Sequence, residues 1–301
     1  MRSAMEVLAD DYGLPGASLS PLPRGHTNES LAVDAPGGRF VLRLAWQGKP
    51  LGPVLDEERL LHAFRYTNLT PRVVPTRAGA PRSAVLGRVA HLFHALPGAS
   101  PDAQPTIAQA RDALATLARL HRELRAVPCD VRDPVALVRA RRDRVFADTT
   151  ARWPADVAAA LPRVKRRIDD ALDAAAARFP AAQWLHGDYH PGNVLFAGDA
   201  VSGVVDFDDC GPGAPAVDLA VALYAFARDP AHEPSLRFDV ARWEAAAVAY
   251  GDAPWKAPDP LAEALFCAHQ TLVHLDAAGR GLWSLGPGIG FYPCFNALAG
   301  A

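Results

Sequence analysis

The sequence predicts an α+β chain of two parts, a small sheet-rich N-terminal unit over residues 1–96 and a larger, mostly helical unit over 97–301. Three observations carry this. Two short apolar segments, Ser30 to Val33 and Arg39 to Leu44, flank Asp34-Ala-Pro-Gly-Gly38, a turn composition that marks an antiparallel hairpin. From Pro97-Gly98 onward, apolar residues recur every three or four positions instead of every two. Only three short strand-like runs, around Leu185, at Val194 to Phe196 and at Val201 to Phe207, interrupt that helical spacing.

In the first unit a helix follows the hairpin at about Leu55 to Phe64, where Leu60, Leu61 and Phe64 share a face. Val73-Val74, Ala84 to Leu86 and Val89 to Leu92 read as further strands. In the second unit, Pro105 to Leu124 places Ile107, Ala110, Leu114, Leu117, Ala118 and His121 on one stripe. Val157 to Phe179, Asp218 to Ala227, Phe238 to Tyr250 and Pro260 to Ala278 are further helices, with a small hairpin set among them.

Composition narrows the function classes. With 31 basic against 33 acidic side chains the net charge is -2, and no Lys/Arg block supplies the basic stripe that nucleic acid or a membrane surface demands. No run approaches the roughly 18 uncharged apolar residues of a membrane span, and the expected location is the cytoplasm. The four cysteines, Cys129, Cys210, Cys267 and Cys294, form no C-x-x-C pair. The oligomeric state is left open.

The chemistry concentrates in Trp184-Leu-His-Gly-Asp-Tyr-His-Pro-Gly-Asn-Val-Leu-Phe196 and Gly203-Val-Val-Asp-Phe-Asp208. Asp188, Asn193 and Asp206 stand five and then thirteen positions apart. Phosphoryl transfer from a nucleotide needs a carboxylate to orient the attacking hydroxyl and hard oxygen ligands to hold Mg²⁺ against the phosphates. A loop bearing Asp and Asn, followed by a strand that delivers a second Asp, supplies these parts. The order matches the protein-kinase catalytic loop H-R-D-x-x-x-x-N with its later D-F-G. Here Gly187 replaces the arginine and Asp206-Phe-Asp208 replaces D-F-G.

That combination resembles the aminoglycoside phosphotransferase and choline kinase-like family, relatives of which include homoserine and macrolide kinases and a bacterial stress-response protein kinase. The resemblance spans nearly the whole chain and implies a protein-kinase-like bilobal fold, with ATP or GTP as co-substrate and Mg²⁺ as cofactor. It implies Asp188 as the catalytic residue and Asn193 and Asp206 as metal ligands. Pro23 to Ser30 resembles the loop over the nucleotide phosphates, with Gly25 and Asn28 at its matching positions. Phe40-Val-Leu-Arg-Leu44 resembles the third strand, which places Arg43 where a protein kinase carries lysine. Its guanidinium offers phosphate a bidentate fork. Glu57 is its expected acidic partner, with Glu58 the fallback and Lys49 the nearby lysine. Val89 to Gly98, including Phe93, resembles the purine-binding hinge. Asp218 is expected to be structural.

Other motifs fall away. Gly211-Pro-Gly-Ala-Pro-Ala216 has the outline of a dinucleotide turn, but Pro212 and Pro215 remove the N–H donors a pyrophosphate needs. A P-loop is absent, since Gly48-Lys49 runs into Pro50. His186, Asp188, His190 and Asp206 could ligate a transition metal in a hydrolase, and a pseudokinase binding module is a further alternative. The oxygen set Asn193 and Asp206 suits Mg²⁺ better than zinc. For the acceptor, a polycationic antibiotic calls for a carboxylate cluster, with Asp208, Asp209, Glu263 and Asp276 as candidates; a small metabolite hydroxyl and a protein serine are the others. Tyr189 and His190 read as a solvated turn, and Trp283 to Phe295 as a pocket lining or a core closure.

Overall fold

The structure is a computed structural model of the chain and describes residues 1–22, 28–64, 67–101, 104–148, 153–228, 236–283, 285 and 291–300. It divides into two compact units, Met1–Gly98 together with Ser202–Asp208, and Ala99–Val201 together with Asp209–Ala301.

Strand alternation builds the first unit. Strands β1 (Ser18–Pro21), β2 (Glu29–Ala35), β3 (Gly38–Leu44), β4 (Ser83–Val85) and β5 (Arg88–His94) form an antiparallel sheet in the order β1-β2-β3-β5-β4. The predicted hairpin is β2–β3, with Ala35 paired to Gly38. On β3, Phe40, Leu42 and Leu44 are buried and pack with Val33, Val85 and Leu92. Helix α1 (Ala4–Asp10) adds Val7 and Leu8 to the same core and is started by a capping box between Ser3 and Glu6. The alternate face of the sheet carries Arg43, which stands opposite His91 in register, and Phe93, opposite Val41. Helix α2 (Leu51–Ala63) begins four residues before the predicted start, after Pro50. The strand expected at Val73-Val74 is reduced to an isolated bridge from Val73 to Phe93.

The late segment Ser202–Asp208 is bound into this unit by contacts no local pattern announces. Ser202 Oγ donates to Pro97 O at 2.7 Å, Val204 N to Leu69 O at 2.7 Å, and the buried Phe207 ring lies 6.1 Å from that of Phe64. The strand-like run does not reach Phe207: it ends at Val204, because Asp206 takes φ 64° and turns the backbone out of the extended region.

The second unit is helical. It holds α3 (Ile107–Leu124), α4 (Ala136–Ala147), α5 (Ala155–Arg178), α6 (Pro215–Ala227), α7 (Val240–Tyr250), α8 (Pro260–Gly279) and α9 (Phe291–Ala299). Its short strands are β6 (Gln183–Leu185), β7 (Val194–Ala197) and β9 (Gly211–Gly213), with β8 (Ala200–Val204) running from this unit into the first; β6 pairs β9 and β7 pairs β8. Helix α6 is buried along almost its whole length, and its Tyr224 stacks on Phe266 of α8 at 5.2 Å and meets Trp243 of α7 edge-on at 4.7 Å. The segment with the dinucleotide-turn outline is β9, and its glycines answer to packing: a Cβ on Gly213 would lie 2.6 Å from Leu185 Cδ1. Helix α4 escaped the sequence reading because its buried positions are Val138, Arg141 and Val145, a stripe with a cation at its centre. No helix among the described residues is long and apolar enough to cross a membrane.

One turn of the first unit is chemically mismatched. Leu86 and Gly87 join β4 to β5 with φ 51° and 80°, a two-residue connection that favours Asn-Gly, yet position 86 carries an exposed leucine. Leu86→Asn should raise stability by about 1 kcal/mol, read as a higher urea midpoint at unchanged slope.

Candidate active site

In the first unit the charged groups form a ladder centred on Arg43. Its Nη2 pairs with Glu57 of α2 and its Nη1 lies 3.4 Å from Asp206 Oδ1. The ring of Phe93 lies beneath the guanidinium at 5.1 Å. Beside it Lys49, only 4% exposed, pairs with Asp208. Burial would drive protons off Arg43, but Glu57, Asp208 and Asp206 outweigh it and hold the arginine's pKa above its ordinary value. Burial likewise opposes the Asp208 carboxylate, yet Arg43 and Lys49 keep its pKa below the usual range. Glu58 faces elsewhere, accepting from His91 at 2.8 Å and Arg82 at 2.6 Å. Asn28 is buried in the same unit. Gly25 lies outside the described residues.

In the second unit the loop from His186 to Asn193 is held mainly by backbone hydrogen bonds. Asp218, in the first turn of α6, accepts from His186 N at 2.8 Å, Gly187 N at 2.9 Å and His121 Nε2 at 3.2 Å. Although burial opposes its charge, His121, His186 and the Gly187 amide keep Asp218 below the ordinary carboxylate range. Its place is structural, fixing where the loop leaves β6. Gly187 then adopts φ +86°, and a Cβ there would lie 2.0 Å from Asp209 O, so neither the strand end nor the loop admits a side chain. This explains why the arginine of protein kinases has no counterpart here. His186 is wholly buried, with Nδ1 accepting from Asp188 N at 3.3 Å. Tyr189 corrects the expectation of a solvated turn: it is buried, and its hydroxyl donates to Ala113 O at 2.7 Å.

Asp188 is gripped through both carboxylate oxygens. Asn193 Nδ2 donates to its backbone O at 2.9 Å and to Oδ2 at 3.3 Å. His190 Nδ1 accepts from Gly192 N at 3.1 Å, which places the proton on Nε2, 3.4 Å from Asp188 Oδ2. His269 of α8 reaches Oδ1 with Nε2 at 3.3 Å. Burial pushes the Asp188 pKa up, but His190 and His269 more than reverse that and hold the group well below its ordinary range. The sequence reading missed His269. Its signal was a polar residue at helical spacing between Leu265 and Leu272 on a buried stretch of α8.

The same unit surrounds this loop with paired charges. Arg141 of α4 is buried and donates to Asp209 at 2.6 Å, with Asp188 and Asp276 adding to the field that keeps it protonated. Asp276 accepts from Arg144 at 3.3 Å and from Arg280 Nε at 3.2 Å. Burial pushes the Glu263 carboxyl upward, toward its neutral form. Each candidate for a polycation-binding cluster other than Glu263 therefore has a resident cation. Trp283 packs edge-on against His274 at 4.7 Å, and Cys294 and Phe295 are buried in the core.

In the second unit the Nδ2 of Asn193 is spent on Asp188, so its Oδ1, a hard oxygen, is the end turned away from that contact; in the first unit Asp206 carries hard carboxylate oxygens beside Arg43. Among the described residues no group of three or more His, Cys, Asp or Glu side chains could hold a metal ion. His186 and His190, required by the hydrolase reading, are committed to backbone amides.

A sheet ladder of Arg, Glu and Asp in one unit, and in the other an Asp and Asn loop anchored to a helix, are the parts of a kinase-like phosphotransferase. The chain belongs to the phosphotransferase enzyme family, which residues 18–261 match. It is 31% identical over 170 residues to the homoserine kinase of Acidiphilium cryptum, covering 53% of this chain and 49% of that protein. To the homoserine kinase of Phenylobacterium zucineum it is 27% identical over 276 residues, covering 89% and 80%. The chain thus spans about half the length of the first of these relatives. In fold it is similar to a microcompartment-associated aminopropanol kinase, with a TM-score of 0.66 at 20% identity over 98% of this chain and 94% of that one.

Two substitutions probe the two halves of this arrangement. Gly187→Ala should cost about 3 kcal/mol or more, whereas Gly198→Ala, also at positive φ but in open space, should cost only about 1–2 kcal/mol; thermal unfolding compares them. Arg43→Met strands buried carboxylates and should cost about 3–5 kcal/mol, with Arg43→Lys retaining much of the difference because the charge survives, as urea unfolding would measure.

Proposed function

We propose that the protein transfers the γ-phosphate of ATP or GTP to a hydroxyl of a small molecule, with Asp188 orienting that hydroxyl and accepting its proton. The observation that carries this reading is the state of Asp188: a carboxylate kept ionised, with hydrogen-bond donors on both oxygens, in a loop fixed by Asp218. A largely dissociative transition state asks for placement more than for basicity, so a carboxylate of low pKa serves. On the nucleotide side the reading assigns phosphate contacts to Arg43, paired with Glu57, and to the loop of Gly25 and Asn28, with Phe93 in the segment that receives the base. Asn193 and Asp206 would hold Mg²⁺, which when bound neutralises phosphate charge.

Charge favours an acceptor of low net charge over a polycationic antibiotic or a protein serine. The carboxylates that ammonium groups would seek, Asp208, Asp209 and Asp276, are engaged by Lys49, Arg141, Arg144 and Arg280. Displacing those cations would trade made pairs for new ones at the cost of fresh desolvation. An amino-acid-like alcohol, the class to which homoserine belongs, meets this condition.

Purified protein with ATP or GTP and Mg²⁺ should phosphorylate a zwitterionic alcohol such as homoserine in a panel that also holds aminopropanol, a macrolide and kanamycin. Preference for kanamycin would reverse the acceptor assignment. Asp188→Asn should slow transfer by about 10²–10⁴-fold with nucleotide affinity unchanged in calorimetry; collapse of nucleotide binding instead would make Asp188 a metal ligand.

A further inference from the structure

Asp188 has more partners than an acceptor-orienting carboxylate needs, and counting them locates the acceptor. An ionised carboxylate offers about four lone-pair directions, two on each oxygen. Oδ2 is approached by Asn193 Nδ2 at 3.3 Å and by His190 Nε2 at 3.4 Å, which use both of its directions. Among the described residues, Oδ1 is approached by His269 Nε2 at 3.3 Å. One direction on Oδ1 is left for a hydroxyl proton. Asn193 and His190 belong to the loop that carries Asp188, whereas His269 comes from α8, 81 positions later in the chain, and is 3% exposed. It therefore ties the loop to the helical core at the oxygen where the acceptor must arrive.

We propose that His269 is the positioning residue for Asp188: its imidazole donates Nε2–H to Oδ1, fixes the rotation of the carboxylate, and leaves one Oδ1 lone pair aimed at the acceptor hydroxyl. The tautomer follows from the partner, since an ionised carboxylate only accepts and the ring must present its proton there. No proton leaves His269 during the reaction. The acceptor's proton passes to Asp188 as its oxygen bonds to the γ-phosphorus and the bond from that phosphorus to the β–γ bridging oxygen breaks, with the nucleoside diphosphate as the leaving group. The inference rests on the role given to Asp188 above and adds to it the residue that sets its geometry.

Two measurements test this on the intact protein. With ¹⁵N-labelled histidine, the imidazole resonances lost in His269→Gln identify His269 in the parent spectrum. They should report a ring that carries a proton on Nε2, and Asp188→Asn should shift the Nε2 resonance. A ring without a proton on Nε2, or one indifferent to Asp188→Asn, overturns the proposal.

In turnover with ATP, Mg²⁺ and homoserine, His269→Leu should lower kcat by about 10–100-fold with KM for ATP unchanged, and His269→Gln, whose side-chain amide also donates, should recover most of it. Parent-like kcat in the leucine variant, or equal losses in both variants at equal melting temperature, overturns the proposal. Should the leucine variant fail to fold, His269→Asn takes its place, having an amide one bond too short to reach. The imidazole spectrum needs no acceptor. A parent that phosphorylates nothing in the panel therefore counts against the kinase reading, while the spectrum still decides the contact.

Discussion

The first unit depends on one buried guanidinium. Arg43 sits on the face of β3 opposite the Leu42 core, and there it gathers Glu57 from α2, Asp206 from a segment 163 positions away and the aromatic face of Phe93. A buried ion is costly unless it is paired and hydrogen-bonded. The converse gives the arrangement its strength as a constraint, because the Glu57 carboxylate, 2% exposed, would itself be stranded without it. Arginine suits the position better than lysine in this respect, since its planar fork can satisfy Glu57 and Asp206 at once. Lys49 and Asp208 extend the ladder by one rung and, with Phe207, bind the late segment to this unit.

The second unit solves a different problem, that of holding a polar loop rigid. Its device is Asp218, whose carboxylate takes two successive backbone amides and the His121 ring, so three buried donors are satisfied by one group. The close approach of Gly187 to Asp209 requires a residue with no Cβ. Downstream, His186 and His190 each cap an amide two residues on, which consumes their Nδ1 atoms. The histidines that a sequence reader would suspect of chemistry thus serve mainly to shape the loop. His269, which attracted no suspicion, is the one that reaches the carboxylate from outside.

The charges around the loop are paired within the second unit. Arg141 is buried with Asp209, and Asp276 is shared between Arg144 and Arg280. Charge around the loop is thus balanced by the protein's own side chains.

Much of this was legible in the sequence. Period-two alternation fixed β2 and β3 on either side of Asp34-Ala-Pro-Gly-Gly38, and period-3.6 spacing fixed α3, α5, α6 and α8, because burial on one face imposes those periods whatever the partner. The spacing of Asp188, Asn193 and Asp206 pointed to a phosphotransferase, because it follows the order of the kinase catalytic loop and its later D-F-G. Tertiary structure decided what local pattern leaves undetermined. It chose Glu57 over its neighbour Glu58 for Arg43, a matter of which side of α2 faces the sheet. It placed Arg141 in a helix stripe that reads as polar until Asp209 is found beside it. It ended β8 at Val204 through the positive φ of Asp206. It also brought His269 to Asp188 across 81 residues, since a contact of that separation is fixed by how α8 packs and leaves no trace in either neighbourhood of the chain.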